Sequence, residues 1–399
     1  NPFGTHLRQA NFRAVAVGPR KPYFDNDNTA VTLWLDGRLE LGGRDLYWDA
    51  GYSFLNARTA TRGENFINLF NLRRAVGDSR RNPVTGALEC LDGSGAVIAG
   101  CVPYNVFGGP DLGLAAGTIS RAEYDAMNDY IRYTLNSQQE MTTKDYFANL
   151  SGTLFDLPAG PLGFAVGLEH RRTTFVNSPD ALVAGGGSSS NFTEPTAGRV
   201  NVDEIYAEFN VPILADVPGV KLLELNLAAR RSDYTSDGRF GGVTVSPDIG
   251  GDTSKKLGLK WQVFDDLMLR GTYSESFRAP DVLDLYLGGG ESFPAAVDPC
   301  NTLNIGLPTT EAARCVADGV PAVGVAQPNG QIRSLTGGNP GLTPENGKTK
   351  SLGVVYSPGW APGLNFTLDW YNISLENVIT FRGTQAILTA CYGTPGTPG

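Results

Sequence analysis

Apolar side chains recur at every second position along most of the chain, and that period predicts β-strands. In Lys256-Leu257-Gly258-Leu259-Lys260-Trp261-Gln262-Val263 each odd position is apolar and each even one is small or polar. Leu223, Leu225 and Leu227 alternate with Glu224, Asn226 and Ala228, and Ile205, Ala207, Phe209 and Val211 with Glu204, Tyr206, Glu208 and Asn210. Leu364, Phe366, Leu368 and Trp370 do the same against Asn365, Thr367, Asp369 and Tyr371. Similar stretches run near Leu33–Leu41, Trp48–Phe54, Tyr146–Leu154 and Phe164–Leu168. Successive strand side chains point to opposite faces, so each segment has one apolar and one polar face. Roughly ten to twelve strands are predicted. The stretch Asn11–Val17 reads either as a strand or as loop.

The connections separate a membrane barrel from a soluble sandwich. Short turns lie at Gly42-Gly43-Arg44, Leu157–Pro161, Ala215–Pro218, Asp265-Asp266 and Pro358–Gly363. Long loops are predicted near 57–130, 177–200, 235–250, 279–343 and from 384 onward. Short turns at one end and long loops at the other are the layout of an outer-membrane barrel. Predicted strands at 251–264 and 363–383 exceed the roughly 9–11 residues that cross the hydrocarbon. Trp48, Trp261, Trp370 and Tyr273 fall on the predicted lipid face, where an aromatic girdle belongs. The polar faces carry Glu169, Arg171, Glu204, Glu208, Arg230, Lys256, Lys260, Arg270 and Asp369. That many charges on an inner wall require a wide lumen, wet or plugged. An open half-barrel would leave edge amides unsatisfied in lipid, so closing strands are expected beyond this sequence. Two short helices are predicted inside the loops: one from the capping box Ser120-Arg121-Ala122-Glu123 to about Arg132, and one over Thr310–Asp318 closed by Gly319.

Composition fits this picture. Charged residues are 18% of the 399, below the roughly 25% usual in soluble domains. Fifty glycines and 25 prolines suit strands and long loops better than helices. His6 and His170 are the only histidines, which leaves little for zinc or haem ligation. No cofactor is expected. A net charge of −9 without a basic stripe excludes nucleic acid as a partner. No run approaches the roughly 18 apolar residues of a membrane helix. The first residue, Asn1, and the closing Gly396-Thr397-Pro398-Gly399 read as the ends of a fragment. Cys90 and Cys101 bracket one short loop and Cys300 and Cys315 another, suggesting two disulfides formed in an oxidising compartment, against free thiols. Cys391 is left over, with a partner expected beyond the sequence.

Several stretches resemble the TonB-dependent receptor family of outer-membrane transporters. The clearest is Ser276-Phe277-Arg278-Ala279-Pro280, followed after a variable loop by Gly338-Asn339-Pro340-Gly341-Leu342-Thr343-Pro344-Glu345. Leu352–Pro358 and Leu368–Ile373 are similar to the family's following strands, and Phe155–Gly160 with Gly167–Arg171 to a periplasmic turn and its next strand. Cys101–Gly108 resembles a loop of a proteobacterial branch, as does the opening Asn1–Gly4. The resemblance implies an all-β, antiparallel transmembrane barrel of about 22 strands, with short periplasmic turns and long extracellular loops. It also implies an N-terminal plug that contacts the TonB complex, which this sequence lacks. Pro280, Pro340 and Pro344 with Gly338 and Gly341 read as architecture, a rigid departure from the wall and return to it.

The leading expectation is therefore energised uptake of a scarce nutrient across the outer membrane: a ferric siderophore, a cobalamin-like cofactor or an oligosaccharide. Phe66, Phe70, Tyr104, Phe107, Tyr286 and Phe293 are aromatic candidates for stacking on such a ligand, weighed against a role in packing the loops. Arg171, Arg230 and Arg278 are the cationic candidates, with pairing to a loop carboxylate the alternative for Arg278. A passive porin is the second reading, and a soluble carbohydrate-binding or hydrolytic protein the third. Hydrolysis would need two carboxylates across a cleft; the carboxylates here are scattered and no nucleophile is paired with a base. No enzyme activity is expected.

Overall fold

The computed structural model describes residues 15–106, 109–301, 310–327 and 329–393. The alternating segments become ten long strands: β1 (Lys21–Leu41), β2 (Arg44–Ile67), β3 (Arg132–Leu157), β4 (Gly160–Ser178), β5 (Thr196–Val217), β6 (Val220–Phe240), β7 (Gly250–Phe264), β8 (Leu267–Arg278), β9 (Glu345–Tyr356) and β10 (Phe366–Glu376). Each pairs antiparallel with its neighbours in sequence, giving one sheet in the order β1 to β10. The short strand Val243–Val245 adds to β6. Gly42 and Gly43 turn β1 into β2 with φ of 60° and 72°, the left-handed pair that a two-residue hairpin needs.

Register fixes the two faces. Asp49, Asn149, Gly167, Tyr206, Arg230 and Ser254 are successive direct partners from β2 to β7, so they share one face. Shifting by one residue, Leu150, Val166, Ala207 and Ala229 occupy the other. The apolar face stays open: Leu33 is 65% exposed, Leu352 63% and Leu368 75%. Soluble proteins do not leave such a continuous apolar surface uncovered, whereas a bilayer covers it. Trp48, Trp261, Tyr273 and Trp370 lie on this face. The row of partners that begins at Leu39, near the short-turn end of β1, ends at Asn372, past the middle of β10. That stagger is the shear of a tilted barrel wall.

The first six strands run 19 to 26 residues and the last four 11 to 15, so one side of the wall stands well above a membrane crossing. Three expected boundaries are corrected here. The loops placed from 57 and 235 begin only after Ile67 and Phe240, because strand continues beyond the hydrocarbon where neither face has to be apolar. The strand expected over 363–383 is confined to Phe366–Glu376; Asn377 takes φ 57° and leaves the ladder. Val15–Val17 forms a single 3-10 turn, and residues 11–14 lie outside the described residues.

Two long connections fold into small caps at the loop end. The first holds α1 (Leu69–Ala75), α2 (Gly109–Ala115) and α3 (Arg121–Ile131), with Ser120 and Glu123 forming the expected capping box. Its core is Val17, Ala75, Tyr104, Met127 and Ile131. Between β4 and β5 lies α4 (Ala181–Ala184). The second cap, after β8, holds α5 (Val282–Tyr286) and α6 (Thr310–Ala317), and α7 (Thr384–Tyr392) packs against α6. Both expected disulfides, Cys90–Cys101 and Cys300–Cys315, are formed, and Cys391 is a free, exposed thiol. Cys90–Cys101 closes a sequence separation of 11, for which chain entropy gives about 3 kcal/mol. Cys101→Ser should therefore make residues 68–131 readily cleaved by protease while leaving the strands intact, as judged by mapping the fragments. Unchanged cleavage would mean that the helical core holds this cap without the bond.

Candidate functional site

Two clusters of functional side chains arise from this scaffold, one on the inner wall and one where the second cap meets it. On the wall, Glu169 and Glu204 are direct cross-strand partners of β4 and β5. Two carboxylates so placed repel. Arg230 on β6 bridges them: Nη2 donates to Glu169 Oε2 at 2.8 Å and also to Glu204. Ser232 donates its hydroxyl to Glu204, whose side chain is 5% exposed. Arg171 Nη1 lies 3.2 Å from Glu169. The network continues sideways, with Tyr206 donating to Asn149 Oδ1 at 2.9 Å and Asn149 Nδ2 donating to Asp49 at 2.8 Å. The result is a fixed, hydrogen-bonded belt across β2 to β6. It presents oriented charge to the interior and pairs no nucleophile with a base.

At the second cap, the two halves of the Ser276–Pro280 and Gly338–Glu345 signature meet. Arg278 and Glu345 are direct partners of β8 and β9. Arg278 Nη1 donates to Asp284 at 2.9 Å and Nη2 to Glu345 at 3.1 Å. Asp281 caps α5 by accepting the Leu283 and Asp284 amides. The Asn339 amide donates to the Asp284 carbonyl at 2.7 Å, tying the return segment to the helix. Tyr286, fully buried, then fills a slot over Gly198 and Gly238, direct partners of β5 and β6. A Cβ on either glycine would stand 2.5 Å from the ring. The phenol donates to Ser236 Oγ at 2.7 Å, and burial pushes its pKa up. Phe175, Ile249, Val282 and Leu285 complete this core, so the cap is pinned to the inner side of the wall. A cleft of about 570 Å³ opens beside it, between Val176, Glu194, Arg239, Phe240, Leu287 and Leu335.

The other sequence candidates are distributed. Arg171 and Arg230 come together in the belt, and Arg278 pairs with carboxylates in the cap. Phe70 is 44% exposed and its ring edge lies against Gly187. Tyr104 is 4% exposed inside the first cap and offers no surface to a ligand; Tyr286 offers none either. Phe66 carries the Arg20 guanidinium 4.7 Å from its ring centre, and Phe293 is 42% exposed. Phe107 lies outside the described residues. Sequence reading missed Ser232, Ser236, Asn149 and the Gly198–Gly238 slot, since each becomes functional only through the register between strands.

Burial, then the charges of Asp111 and the neighbouring Tyr124, push the Tyr104 phenol up to about 12. Its unfolded value is about 10. A raised pKa contributes stability that is complete below the unfolded value and is lost as pH rises through the folded one. The first cap should therefore loosen between about pH 10 and 12. A phenolate absorbance titration checks this, and Tyr104→Phe should remove the step.

The chain belongs to the family of TonB dependent receptor-like β-barrels, whose model matches residues 1–398. Membership implies an outer-membrane location. No curated protein matches the sequence. Among solved structures it is similar to the alcaligin outer-membrane receptor FauA from Bordetella pertussis, at 12% identity and a TM-score of 0.33, over 90% of this chain and 56% of that one. A double mutant of the Serratia marcescens hemophore receptor HasR, in complex with its hemophore HasA and heme, shows 13% identity and a TM-score of 0.38 over 88% and 46%. The siderophore receptor PirA from Acinetobacter baumannii shows 11% and 0.28 over 90% and 52%. The chain thus spans about half the length of these receptors, and likeness at this level says nothing of its own ligand.

Proposed function

We propose that this chain is the wall and part of the extracellular cap of a transporter that takes up a scarce nutrient using energy delivered by the TonB complex. The observation that carries the reading is the charged inner belt of Glu169, Arg171, Glu204 and Arg230 on a wall whose opposite face is apolar. A wall of that kind belongs to a wide lumen holding water or a plug, because a small filled barrel has no partners for so many charges. The TonB contact belongs to a plug domain outside this sequence, and further strands close the barrel between the exposed edges of β1 and β10. The caps face the exterior, where the cleft beside Leu287 and Leu335 receives ligand. Ferric siderophores, heme, cobalamin-like cofactors and oligosaccharides form the set to screen.

The test is the conductance of the full-length protein in planar bilayers, together with uptake of the screened ligands by cells with and without inner-membrane energy coupling. A plugged transporter gives no steady conductance, and its uptake stops when coupling is removed. A steady open channel with uptake indifferent to coupling would overturn the proposal in favour of a passive porin.

A further inference from the structure

The cleft beside the second cap is bordered by backbone as much as by side chains. The short strand Ser334–Thr336 pairs antiparallel with Gly290–Ser292, in which Glu291 is the direct partner of Leu335. Hydrogen bonds along an antiparallel strand alternate in direction from one residue to the next. The Glu291 amide donates to the Phe192 carbonyl at 2.8 Å, on the side away from Leu335. The Glu194 amide donates to the Gly289 carbonyl at 2.8 Å and repeats that phase two residues earlier. Leu335 therefore stands at a non-hydrogen-bonded position, with its own N–H and C=O directed away from Gly290–Ser292. Among the described residues no further strand pairs with Ser334–Thr336. Leu335 is the open edge of a small sheet, and its side chain is 66% exposed at the cleft. Natural proteins cover, charge or bulge such edges. Here the nearest charge on the strand, Arg333, is turned across the sheet onto Glu291.

The side chains of the cleft do not favour a strongly charged guest. Glu194 accepts the Gly289 amide at 3.0 Å and Arg239 donates to the Gly242 carbonyl at 3.2 Å, so each braces a backbone turn. The rest of the lining is apolar or bare, with Val176, Phe240 and Leu287 exposed and glycines between them. An anionic ferric chelate would meet one guanidinium, already engaged. A sugar would meet one aromatic ring, that of Phe240. What the cleft offers in quantity is backbone and apolar contact.

We infer that the cleft takes an uncharged oligopeptide in extended form, which adds as a strand to the Leu335 edge. Its backbone exchanges hydrogen bonds with the Leu335 N–H and C=O, and its alternate side chains lie against Leu287, Leu335 and Phe240. At about 570 Å³ the cleft has the volume of a small-ligand site and holds a few residues. The inference rests on the reading of this cleft as the place that receives ligand, and it narrows that ligand to one class.

The full-length protein in nanodiscs is dialysed to equilibrium against the peptide acetyl-Ala-Val-Ala-Val-Ala-amide, against maltotriose and against ferric citrate. The peptide should be retained, and the other two should not. The same peptide methylated at its internal amide nitrogens keeps every side chain and loses the donors that pair with a strand edge. It should bind about tenfold more weakly. Leu335→Asp, a change at an exposed position, should weaken the unmethylated peptide about tenfold. Equal binding of the two peptides overturns the inference, as does a Leu335→Asp protein that binds the peptide unchanged. Failure of the unmethylated peptide to bind also overturns it, in favour of whichever of maltotriose or ferric citrate is retained. Should Leu335→Asp disturb the cap, the two peptides on the unaltered protein still decide. Peptide bound but taken up without regard to energy coupling sinks the transport reading and leaves this one standing. Coupled uptake of maltotriose or ferric citrate with no peptide bound does the reverse.

Discussion

Tyr286→Ala should release the second cap from the wall, with protease cutting residues 279–344 in the variant under conditions that spare the parent protein. The ring is completely buried, and truncating a buried aromatic side chain costs about 3–5 kcal/mol through lost transfer energy and the cavity left behind. The surroundings cannot collapse to fill the gap, since Gly198 and Gly238 belong to paired strands and have no side chain to move. Tyr286→Phe isolates the hydrogen bond to Ser236 and should cost only about 1 kcal/mol. Gly238→Val attacks the same slot from the wall, since its Cβ would meet the ring at 2.5 Å. Overpacking of this kind costs about 1–3 kcal/mol and should give a partial version of the Tyr286→Ala phenotype. The Arg278 fork to Asp284 and Glu345 remains in all three variants, so the cap swings from its base rather than detaching. If Tyr286→Ala leaves the cleavage pattern unchanged, that fork and the return through Asn339 are sufficient to hold the cap, and Tyr286 is filler.

How far the sequence reveals this fold depends on where lipid acts on it. Leu257, Leu259 and Trp261 could be assigned to one face because the hydrocarbon demands an apolar residue at every outward position. Above the hydrocarbon that demand ends, and the strand from Ala57 to Ile67 carries Arg58, Thr59, Arg62 and Glu64 with no period to read. At β10 the error ran the other way. Ile373, Leu375, Val378 and Ile379 keep an apolar rhythm that suggests further strand, but Asn377 adopts a left-handed conformation and ends the ladder. The site divides in the same manner. A carboxylate partner for Arg278 could be anticipated from the paired segments around Pro280 and Pro344. The Tyr286 slot could not, since it exists only because two unremarkable glycines, 40 residues apart, fall opposite each other in register. The same is true of Glu169 and Glu204: each looks like an ordinary inward residue until the pairing of β4 with β5 sets them face to face.

That confrontation makes Arg230 the most consequential side chain of the belt. Arg230→Ala should lower the stability of the protein in lipid by about 3 kcal/mol, the lower end of what breaking a buried ion pair costs. The lower end applies because Arg230 is 40% exposed, so lumen water relieves part of the loss, while Glu204 at 5% cannot be relieved in the same way. Arg171 compensates little, since its direct contact is with Glu169, and Glu204 keeps only the Ser232 hydroxyl as a hydrogen-bond partner. Arg230→Lys should recover only part of the difference, because an ammonium is more strongly hydrated than a guanidinium and gives up more on entering the belt. The decisive comparison adds Glu204→Gln to Arg230→Ala. Removing the stranded charge should restore at least half of the stability, an outcome that simple loss of Arg230 packing would not give. Urea unfolding of the protein in vesicles, followed by tryptophan fluorescence, reads all four proteins on one scale. A loss below about 1 kcal/mol for Arg230→Ala would place the belt with ordinary solvent-exposed ion pairs. The lumen beside it would then be fully wet, and the charges there would be free to engage a passing ligand instead of holding the wall together.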